Sequence, residues 1–299
     1  MIDYATTTER WNNELAQAGK RRLQERTALI WFGILRSYED VGVIPQSVRG
    51  IYYKVEGYGI VSKTEAGYRQ VQRQVLNMRR GGFLRYDLVT DGARWIHGPN
   101  TYNDMDQFLL NSRRAYRRDL WQAQESNVHI WLEKEALYGV IEAVIDEYGV
   151  DVMVSRGFAS ETYLYSVAEG MQYSDKPTHV YTLYDFDRSG QLASDHIFSR
   201  LRDFGATNSY FHRLGLTQSQ IYEHQLSTRP AKRSDIKRGW EWGYACELDA
   251  LPANELRALV SGAIERHIDP YALETQRKIE ALERASFEEV IDNMRARGY

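Results

Sequence analysis

The chain has 299 residues, 43% of them hydrophobic, which is enough for a packed core and favours two domains over one. Its single cysteine, Cys246, excludes an internal disulfide and a zinc site built from several cysteines. The net charge is -3, from 38 Lys and Arg against 41 Asp and Glu, so overall charge gives no support for a nucleic-acid partner.

The first part of the chain is predicted to form three helices. Apolar residues at helical spacing mark each of them, and Gly42 and Pro45 break the pattern after the first. Ser47 is in position to cap the second helix, and Gly81 and Gly82 stop the third. The predicted helices span residues 8–38, 48–55 and 64–79.

A short hairpin is expected to follow these helices. Residues 83–89 have the composition of a strand, Asp91-Gly92 is a strong hairpin turn, and Trp95-Ile96 would form the returning strand. This order predicts a winged helix-turn-helix domain over residues 1–120, with its third helix in the major groove of duplex DNA. A solvated helix on a small α+β domain is the alternative. The arginines expected to contact DNA here are Arg69, Arg73, Arg79, Arg80 and Arg85.

Charge is unevenly distributed along the chain. Residues 68–118 are rich in arginine, whereas residues 133–151 are rich in acidic side chains. A basic DNA-facing patch beside an acidic metal site would produce this asymmetry. Uneven surface charge without function is the alternative explanation.

After a predicted connecting helix over residues 101–124, short apolar strands alternate with helices. The alternation predicts an α/β domain over residues 121–228, with a parallel four-stranded sheet flanked by helices. Ligands of such sheets bind at the carboxyl ends of the strands. A helical C-terminal extension is expected over residues 229–299. The predicted strands span residues 128–132, 150–154, 179–184 and 209–214, and the helices between them span residues 134–148, 159–169 and 191–204.

Acidic residues follow two of these strands. Glu133 ends the first strand, and Asp185 and Asp187 follow the third. Residues two apart in an extended chain point the same way, so the aspartates converge, and Glu133 joins them if the two strands are neighbours. Three convergent carboxylates suit Mg²⁺, with Mn²⁺ as a substitute, although a solvated loop or a helix cap explains the spacing equally well.

The motifs at these strand ends resemble those of the Toprim domain, in the form found in topoisomerase VI A subunits and the related meiotic double-strand-break transesterase. The likeness rests on Glu-Lys-Glu-Ala at residues 133–136 and Asp-Phe-Asp-Arg-Ser-Gly at residues 185–190. Residues 155–159 match the family's glycine turn in part. Arg188 stands where the family usually has proline, and it joins Arg156 as a candidate for DNA contact. The short chain is most similar to the compact mini-A proteins of phages and mobile elements.

The second predicted helix contains Arg49-Gly50-Ile51-Tyr52-Tyr53, which resembles the family's Arg-x-Ile-Tyr-Tyr string. The second tyrosine of that string attacks a DNA phosphate in the family, so the resemblance assigns the nucleophile to Tyr53. A phenol with an ordinary pKa of about 10 needs activation. Arg49, on the same helix face, would favour the phenolate and hold the phosphate. Without the resemblance, a tyrosine pair on a helix indicates packing.

The resemblance implies a Mg²⁺-dependent transesterase of double-stranded DNA that forms a 5′-phosphotyrosyl link. It also implies a homodimer in which the tyrosine of one protomer faces the metal site of the other. The chain has no Gly-rich ATPase motif, so an ATPase subunit of the B type would act in trans. Two alternatives stay open: a hydrolytic nuclease resembling the nuclease subunit of the Wadjet plasmid-defence system, and a DNA-binding protein without turnover.

The remaining expectations concern location and structural residues. No apolar stretch is long enough to cross a bilayer, and the polar N-terminus lacks a signal-peptide core, so a cytoplasmic, nucleoid-associated protein is expected. Glu247 and Asp249 are assigned to a helix-entry loop, in preference to the acidic site. Glu135 is expected to be solvated on a first helical turn, and the histidines show no metal-ligand spacing.

Overall fold

The computed structural model describes residues 3–90 and 101–296, and its central feature is a parallel four-stranded sheet with helices on both faces. Among these residues, no helix combines the length and apolar character needed to cross a membrane. The α-helices are α1 (Tyr4–Gln17), α2 (Glu25–Val41), α3 (Val48–Gly57), α4 (Glu65–Gly81), α5 (Met105–Ala115), α6 (Tyr138–Tyr148), α7 (Glu161–Gln172), α8 (Arg188–Asp203), α9 (Gln218–Glu223), α10 (Arg233–Lys237), α11 (Ala253–Glu265) and α12 (Pro270–Ala296). The strands are β1 (Gln46–Ser47), β2 (Val89–Thr90), β3 (Asn127–Leu132), β4 (Asp151–Val154), β5 (Thr178–Leu183), β6 (Ser209–Gly215), β7 (Arg229–Pro230) and β8 (Tyr244–Ala245).

The single helix predicted over residues 8–38 is wrong, because the chain breaks there into α1 and α2. Gly19 adopts a φ of +68°, a left-handed conformation that glycine reaches without steric cost. Trp11 of α1 then packs edge-on against Trp31 of α2, with ring centroids 5.6 Å apart and both rings buried. The apolar positions of the pattern therefore belong to two helices that share one core.

Helices α3 and α4 begin where the sequence predicts, because their capping residues are explicit. Ser47 Oγ accepts a hydrogen bond from the Gly50 amide at 3.0 Å. Thr64 Oγ1 accepts one from the Gly67 amide at 3.1 Å. Gly82 has a φ of +80° and ends α4, as a glycine after the last helical residue usually does.

The segment after α4 departs from the predicted wing. Residues 83–89 do not form a continuous strand, because Tyr86–Leu88 is a 3₁₀ turn and the strand itself is limited to Val89–Thr90. That strand, β2, pairs in parallel with β1. Asp91-Gly92 and Trp95-Ile96 lie outside the described residues, so the hairpin and the winged helix stay predictions.

The central sheet has the strand order β4-β3-β5-β6, and all of its pairs are parallel. This architecture confirms the α/β class and is compatible with a Toprim-like core. The side chains of β3 alternate between two layers, as the pleat requires. Ile130 and Leu132 pack into the core with residues of α6 and α11, whereas Trp131 packs with residues of α7 and α8. Because β3 and β5 are neighbours, the residues that follow them meet at one edge.

The C-terminal extension predicted over residues 229–299 consists of long helices only from Ala253 onward, in α11 and α12, because β7, β8 and the short α10 precede them, and α12 lies against α5. The connecting helix predicted over residues 101–124 is helical only in α5, and ion pairs fix that helix and the loop after it to α12. Arg295 bonds Asp106 at 2.7 Å, and Arg118 bonds Glu283 at 2.6 Å. Part of the arginine-rich stretch therefore serves internal packing.

Candidate active site at the carboxyl edge of the sheet

Glu133 and Asp185 lie side by side because of the sheet register. Leu132 is opposite Leu183 in the β3–β5 ladder, and the Glu133 amide continues it by donating to the Leu183 carbonyl at 3.1 Å. The Asp185 amide donates to Glu133 Oε2 at 2.9 Å. The two residues therefore meet at one edge of the sheet, as the neighbouring strands predict, and the convergence of three carboxylates on a metal ion stays a prediction.

Burial shapes the electrostatics of this pair. Burial and the neighbouring charge of Asp185 raise the pKa of Glu133 to about 7. Burial also raises the pKa of Asp185, although the Lys134 ammonium and the Leu248 amide oppose the rise. Two neighbouring buried carboxyls of this kind favour the binding of a cation, because its positive charge stabilises their ionised forms.

Asp187 has two other partners in the described structure. Its Oδ1 caps α8 by accepting from the Gly190 amide at 2.9 Å, and its Oδ2 accepts from Arg229 at 2.9 Å. Gly190 itself is enclosed, since a Cβ there would come within 2.4 Å of the Asp185 carbonyl oxygen. The turn from β5 into α8 therefore needs glycine at that position.

Glu247 and Asp249 belong to the acidic site, and the preference for a loop without such a role is wrong. Lys134 Nζ lies 2.9 Å from Asp185 Oδ1, 2.9 Å from Asp249 Oδ2 and 3.5 Å from Glu247 Oε2. Burial alone would lower the pKa of Lys134, but Asp249, Asp185 and Glu247 together raise it. The ammonium thus links the strand-end acids to a segment much later in the chain.

Tyr53 lies on α3 beside this cluster and is 8% exposed. Arg49 donates to Glu247 from Nε at 2.5 Å and from Nη2 at 2.6 Å, a bidentate pair. Burial, followed by the Glu247 charge, raises the pKa of Tyr53, while Arg49 and then Lys134 oppose the rise. Arg49 therefore acts on the phenol as expected, but it does not outweigh burial in this state.

The arginines assigned to DNA contact occupy different environments. Arg69, Arg73, Arg80 and Arg85 are exposed, and Arg79 stacks on Tyr86 with its guanidinium 4.3 Å from the ring centroid. The first three lie on the face of α4 opposite its buried side. Near the acidic site, Arg156 pairs with Glu135 at 2.6 Å, and Arg188 donates to the Arg238 carbonyl at 3.2 Å. Glu135 is therefore ion-paired and only 14% exposed, not freely solvated.

The acidic cluster carries more negative than positive charge. Its carboxylates are those of Glu133, Asp185, Asp187, Glu247 and Asp249, and the basic side chains bonded to them in the described structure are Lys134, Arg49 and Arg229. Five carboxylates against three cations leave two negative charges when all groups are ionised. One divalent cation would balance them.

The pair formed by Glu133 and Asp185 has the carboxylate chemistry that Mg²⁺ prefers, and binding of the ion there stays a prediction. Over residues 3–90 and 101–296, no group of three or more His, Cys, Asp or Glu side chains is arranged to hold a metal ion. Mg²⁺, however, usually binds proteins through one or two carboxylates and keeps substrate phosphates and waters as its other ligands. The adjoining carboxylates of Glu133 and Asp185 meet that requirement, and Asp187 as a third ligand stays a prediction.

No known protein-family model matches this chain, and no curated protein matches its sequence significantly. Fold and site together define a class: an α/β protein with a parallel four-stranded sheet, a buried acidic cluster at its carboxyl edge, and a tyrosine-bearing helix docked against that cluster.

Proposed function

We propose that this protein binds duplex DNA and cleaves it by transesterification, with Tyr53 as the nucleophile, in the manner of a type IIB topoisomerase A subunit. The observation that carries the proposal is the run of contacts from Arg49 through Glu247 and Lys134 to Asp185, which ties the tyrosine helix to the acidic cluster. A nucleophile, a phosphate-binding arginine and a divalent-cation site are the parts that cleavage of a phosphodiester requires.

The reaction exchanges one phosphoester bond for another. The Tyr53 oxygen bonds to the backbone phosphorus, the bond from phosphorus to the 3′-oxygen breaks, and the phenolic proton passes through solvent to the departing 3′-oxygen. Arg49 binds the DNA phosphate after it releases Glu247. The phosphate can take the place of the carboxylate because both groups accept two hydrogen bonds from a guanidinium.

Glu133 and Asp185 would hold Mg²⁺ in this reaction, with Mn²⁺ as a substitute. The bound cation supplies charge stabilisation at the phosphate and the departing oxygen. Lys134, which bonds Asp185 here, keeps the carboxyl in place and supplies positive charge beside the phosphate. The exposed arginines of α4 would bind the DNA backbone outside the site.

Hydrolytic cleavage is the second candidate, and one observation favours it. Tyr53 is buried, and its pKa is raised above the ordinary value of a phenol. A buried phenol is a poor nucleophile until its proton leaves, whereas water needs no covalent enzyme intermediate. In this version the acidic cluster and its cation act alone, and Tyr53 is a packing residue.

Cleavage of supercoiled plasmid distinguishes the two candidates. Wild type, Tyr53→Phe and Asp185→Asn are incubated with Mg²⁺ or Mn²⁺, stopped with detergent, and analysed with and without protease. Transesterification predicts protein-linked 5′ ends in wild type and a loss of at least about 1,000-fold in both variants. Tyr52→Phe is the matched control, because that ring neighbours Tyr53 at 5.1 Å and should be dispensable.

Each result has one meaning. Free ends from both wild type and Tyr53→Phe, with Asp185→Asn inactive, would replace the transesterase by a nuclease. Salt-sensitive DNA binding with no cleavage by any protein under either metal would reject both enzymes for the chain acting alone, and only a partner subunit from the native host that restored cleavage would bring them back.

A further inference from the structure

The segment from Cys246 to Asp249 is anchored on the acidic cluster and reaches from there to α3, the helix that carries Tyr53. Phe186 and Cys246 exchange backbone hydrogen bonds of 2.8 and 3.0 Å. The Leu248 amide donates to Asp185 Oδ1 at 2.9 Å. The turn that follows β5 therefore sets the position of this segment.

Two acidic side chains of the segment hold the start of α3. Glu247 accepts hydrogen bonds of 2.5 and 2.6 Å from Arg49. Asp249 Oδ1 accepts one of 2.9 Å from Ser47 Oγ, the hydroxyl that caps α3. We call Glu247 and Asp249 the acidic clasp, because together they fix the first turn of α3 at two points.

The clasp occupies groups that the proposed reaction needs free. The two nitrogens with which Arg49 bonds Glu247 are the fork that would bind a DNA phosphate in its place. Tyr53 is 8% exposed, and the charge of Glu247 adds to burial in raising the pKa of its phenol. Cleavage therefore requires that Arg49 leave Glu247 and that Tyr53 become accessible.

Lys134 completes the same network from the acidic side. Its ammonium lies 2.9 Å from Asp185 Oδ1 and 2.9 Å from Asp249 Oδ2. The Asp249 side chain is 2% exposed, and a buried charge that loses its partner is strongly destabilising. Each contact of the clasp therefore supports the others, and release of α3 is favoured when another anion replaces Glu247 on Arg49.

We propose that the acidic clasp is an autoinhibitory contact, which holds α3 closed on its own chain and withholds Arg49 and Tyr53 until a DNA phosphate displaces Glu247. This inference rests on the proposed function. The docked helix is then a resting state, and the released helix is free to meet the acids of a second protomer, as the resemblance implies. A weakened clasp should therefore raise the accessibility of Tyr53 and the affinity for DNA.

Glu247→Gln tests the clasp in the absence of DNA. The substitution keeps the shape of the side chain but removes the charge that Arg49 and Lys134 bond, so α3 should be released more often. Hydroxyl-radical footprinting with mass spectrometry measures how accessible the Tyr53 ring is, and we expect its oxidation to be at least about fivefold faster than in wild type. Tyr52, 4% exposed in the core that α3 forms with α2 and α4, is the internal control and should react equally slowly in both proteins.

The same variant is then tested with DNA in single-turnover cleavage. Only molecules with α3 released can bind a phosphate at Arg49, so the apparent affinity rises with the released fraction. We expect Glu247→Gln to reach half-saturation at about three- to tenfold less DNA than wild type, with a cleavage rate at saturation no lower than that of wild type. Glu241→Gln removes an exposed carboxylate a few residues earlier and measures the effect of net charge alone.

Asp249→Asn weakens the other half of the clasp, at Ser47 and Lys134, and should act in the same direction. It keeps the proposal testable if urea unfolding shows that Glu247→Gln does not fold. Tyr53 that stays as protected in both variants as in wild type would overturn the proposal. Slower cleavage at saturating DNA by a folded variant would overturn it too, because the docked helix would then be the working arrangement.

Failure of the proposed function gives a different pattern. If the variants expose Tyr53 but no protein becomes linked to DNA ends, the clasp closes α3 as proposed, and Tyr53 is not the nucleophile. The footprinting result is independent of cleavage, so the two failures are distinguishable.

Discussion

At the scale of single residues, Gly190 shows how closely the backbone is packed around the acidic cluster. A Cβ at this position would lie 2.4 Å from the Asp185 carbonyl oxygen and 3.2 Å from the Asp185 amide nitrogen. Backbone atoms cannot rotate away as a side chain does, so Gly190→Ala must displace the loop that carries Asp185. We expect the variant to lose about 1–3 kcal/mol of unfolding free energy, measured by urea unfolding, and to lose cleavage.

Gly170, in α7, gives the matched comparison. Nothing lies within 4 Å of a Cβ built there. Alanine costs less conformational entropy than glycine in a helix, so Gly170→Ala should gain about 0.5–1 kcal/mol with unchanged cleavage. If the two alanine variants had equal stability, the close contact at Gly190 would not govern the loop.

At the scale of elements, α4 presents the basic face expected to meet DNA. Its buried side is formed by residues such as Val71, Val75 and Met78, which leaves Arg73 and Arg80 exposed. Each phosphate contact that is lost lowers the salt dependence of binding by about one unit of slope in a log–log plot. We therefore expect Arg73→Gln with Arg80→Gln to weaken DNA binding and reduce the slope by about two, measured by fluorescence anisotropy from low to high salt.

Arg10→Gln is the control for this measurement, because Arg10 is an exposed arginine on α1 whose neighbour is Glu14, 3.6 Å away. Its removal changes net charge without touching α4. The substitutions are compared by the change in salt slope for each removed charge. If Arg10→Gln changes the slope as much as each α4 substitution does, the affinity for DNA depends on the net charge of the protein and not on the α4 face.

The elements also show why some boundaries could be predicted and others could not. Ser47, Thr64 and Gly82 are local signals, and α3 and α4 follow them. The break between α1 and α2 lies at Gly19, whose left-handed φ of +68° follows α1, and the prediction of one helix missed this local stop because the apolar spacing continues across it. Single-sequence patterns encode helix ends well when the capping residue is recognised and poorly when apolar periodicity alone is followed.

Some contacts of the candidate site could be predicted from the sequence and others could not. The adjacency of Glu133 and Asp185 could be predicted, since both follow strands of one parallel sheet and only the strand order was open. The approach of Glu247 and Asp249 could not, because a loop far along the chain is directed there by the backbone bridge between Phe186 and Cys246. The sequence indicated this approach only through the close spacing of Glu247 and Asp249 in the string Glu-Leu-Asp.

At the scale of the whole molecule, the sheet carries a second polar cluster, whose histidines are far apart in the sequence and close together in the fold. His179 of β5, His212 of β6 and His267, just after α11, gather around Tyr181. His179 Nδ1 lies 3.1 Å from His212 Nε2, and Tyr181 Oη lies 2.7 Å from His267 Nε2. The cluster joins the sheet edge to the C-terminal helices, so its protonation bears on global stability.

Burial, His179, His212 and Arg266 lower the pKa of His267 to about 4. The unfolded chain therefore binds more protons than the folded one between about pH 4 and the ordinary histidine value of about 6.5. The contribution of neutral His267 to the free energy of unfolding should be fully present above pH 6.5 and should fall as the pH drops towards 4. We expect the contribution of His267 to the urea midpoint to decrease steadily from pH 7 to pH 5, measured as the difference between wild type and a His267 variant.

His267→Gln isolates this contribution. Glu133, whose raised pKa is about 7, acts with the opposite sign, because the folded protein then binds more protons than the unfolded chain between about pH 4.5 and 7. Glu133 is present in both proteins, so its effect cancels in their difference. At pH 8, where histidine is neutral, the two midpoints differ only through packing. Below that, the variant should lose less stability than wild type, and parallel pH profiles would show that His267 is not the group that titrates.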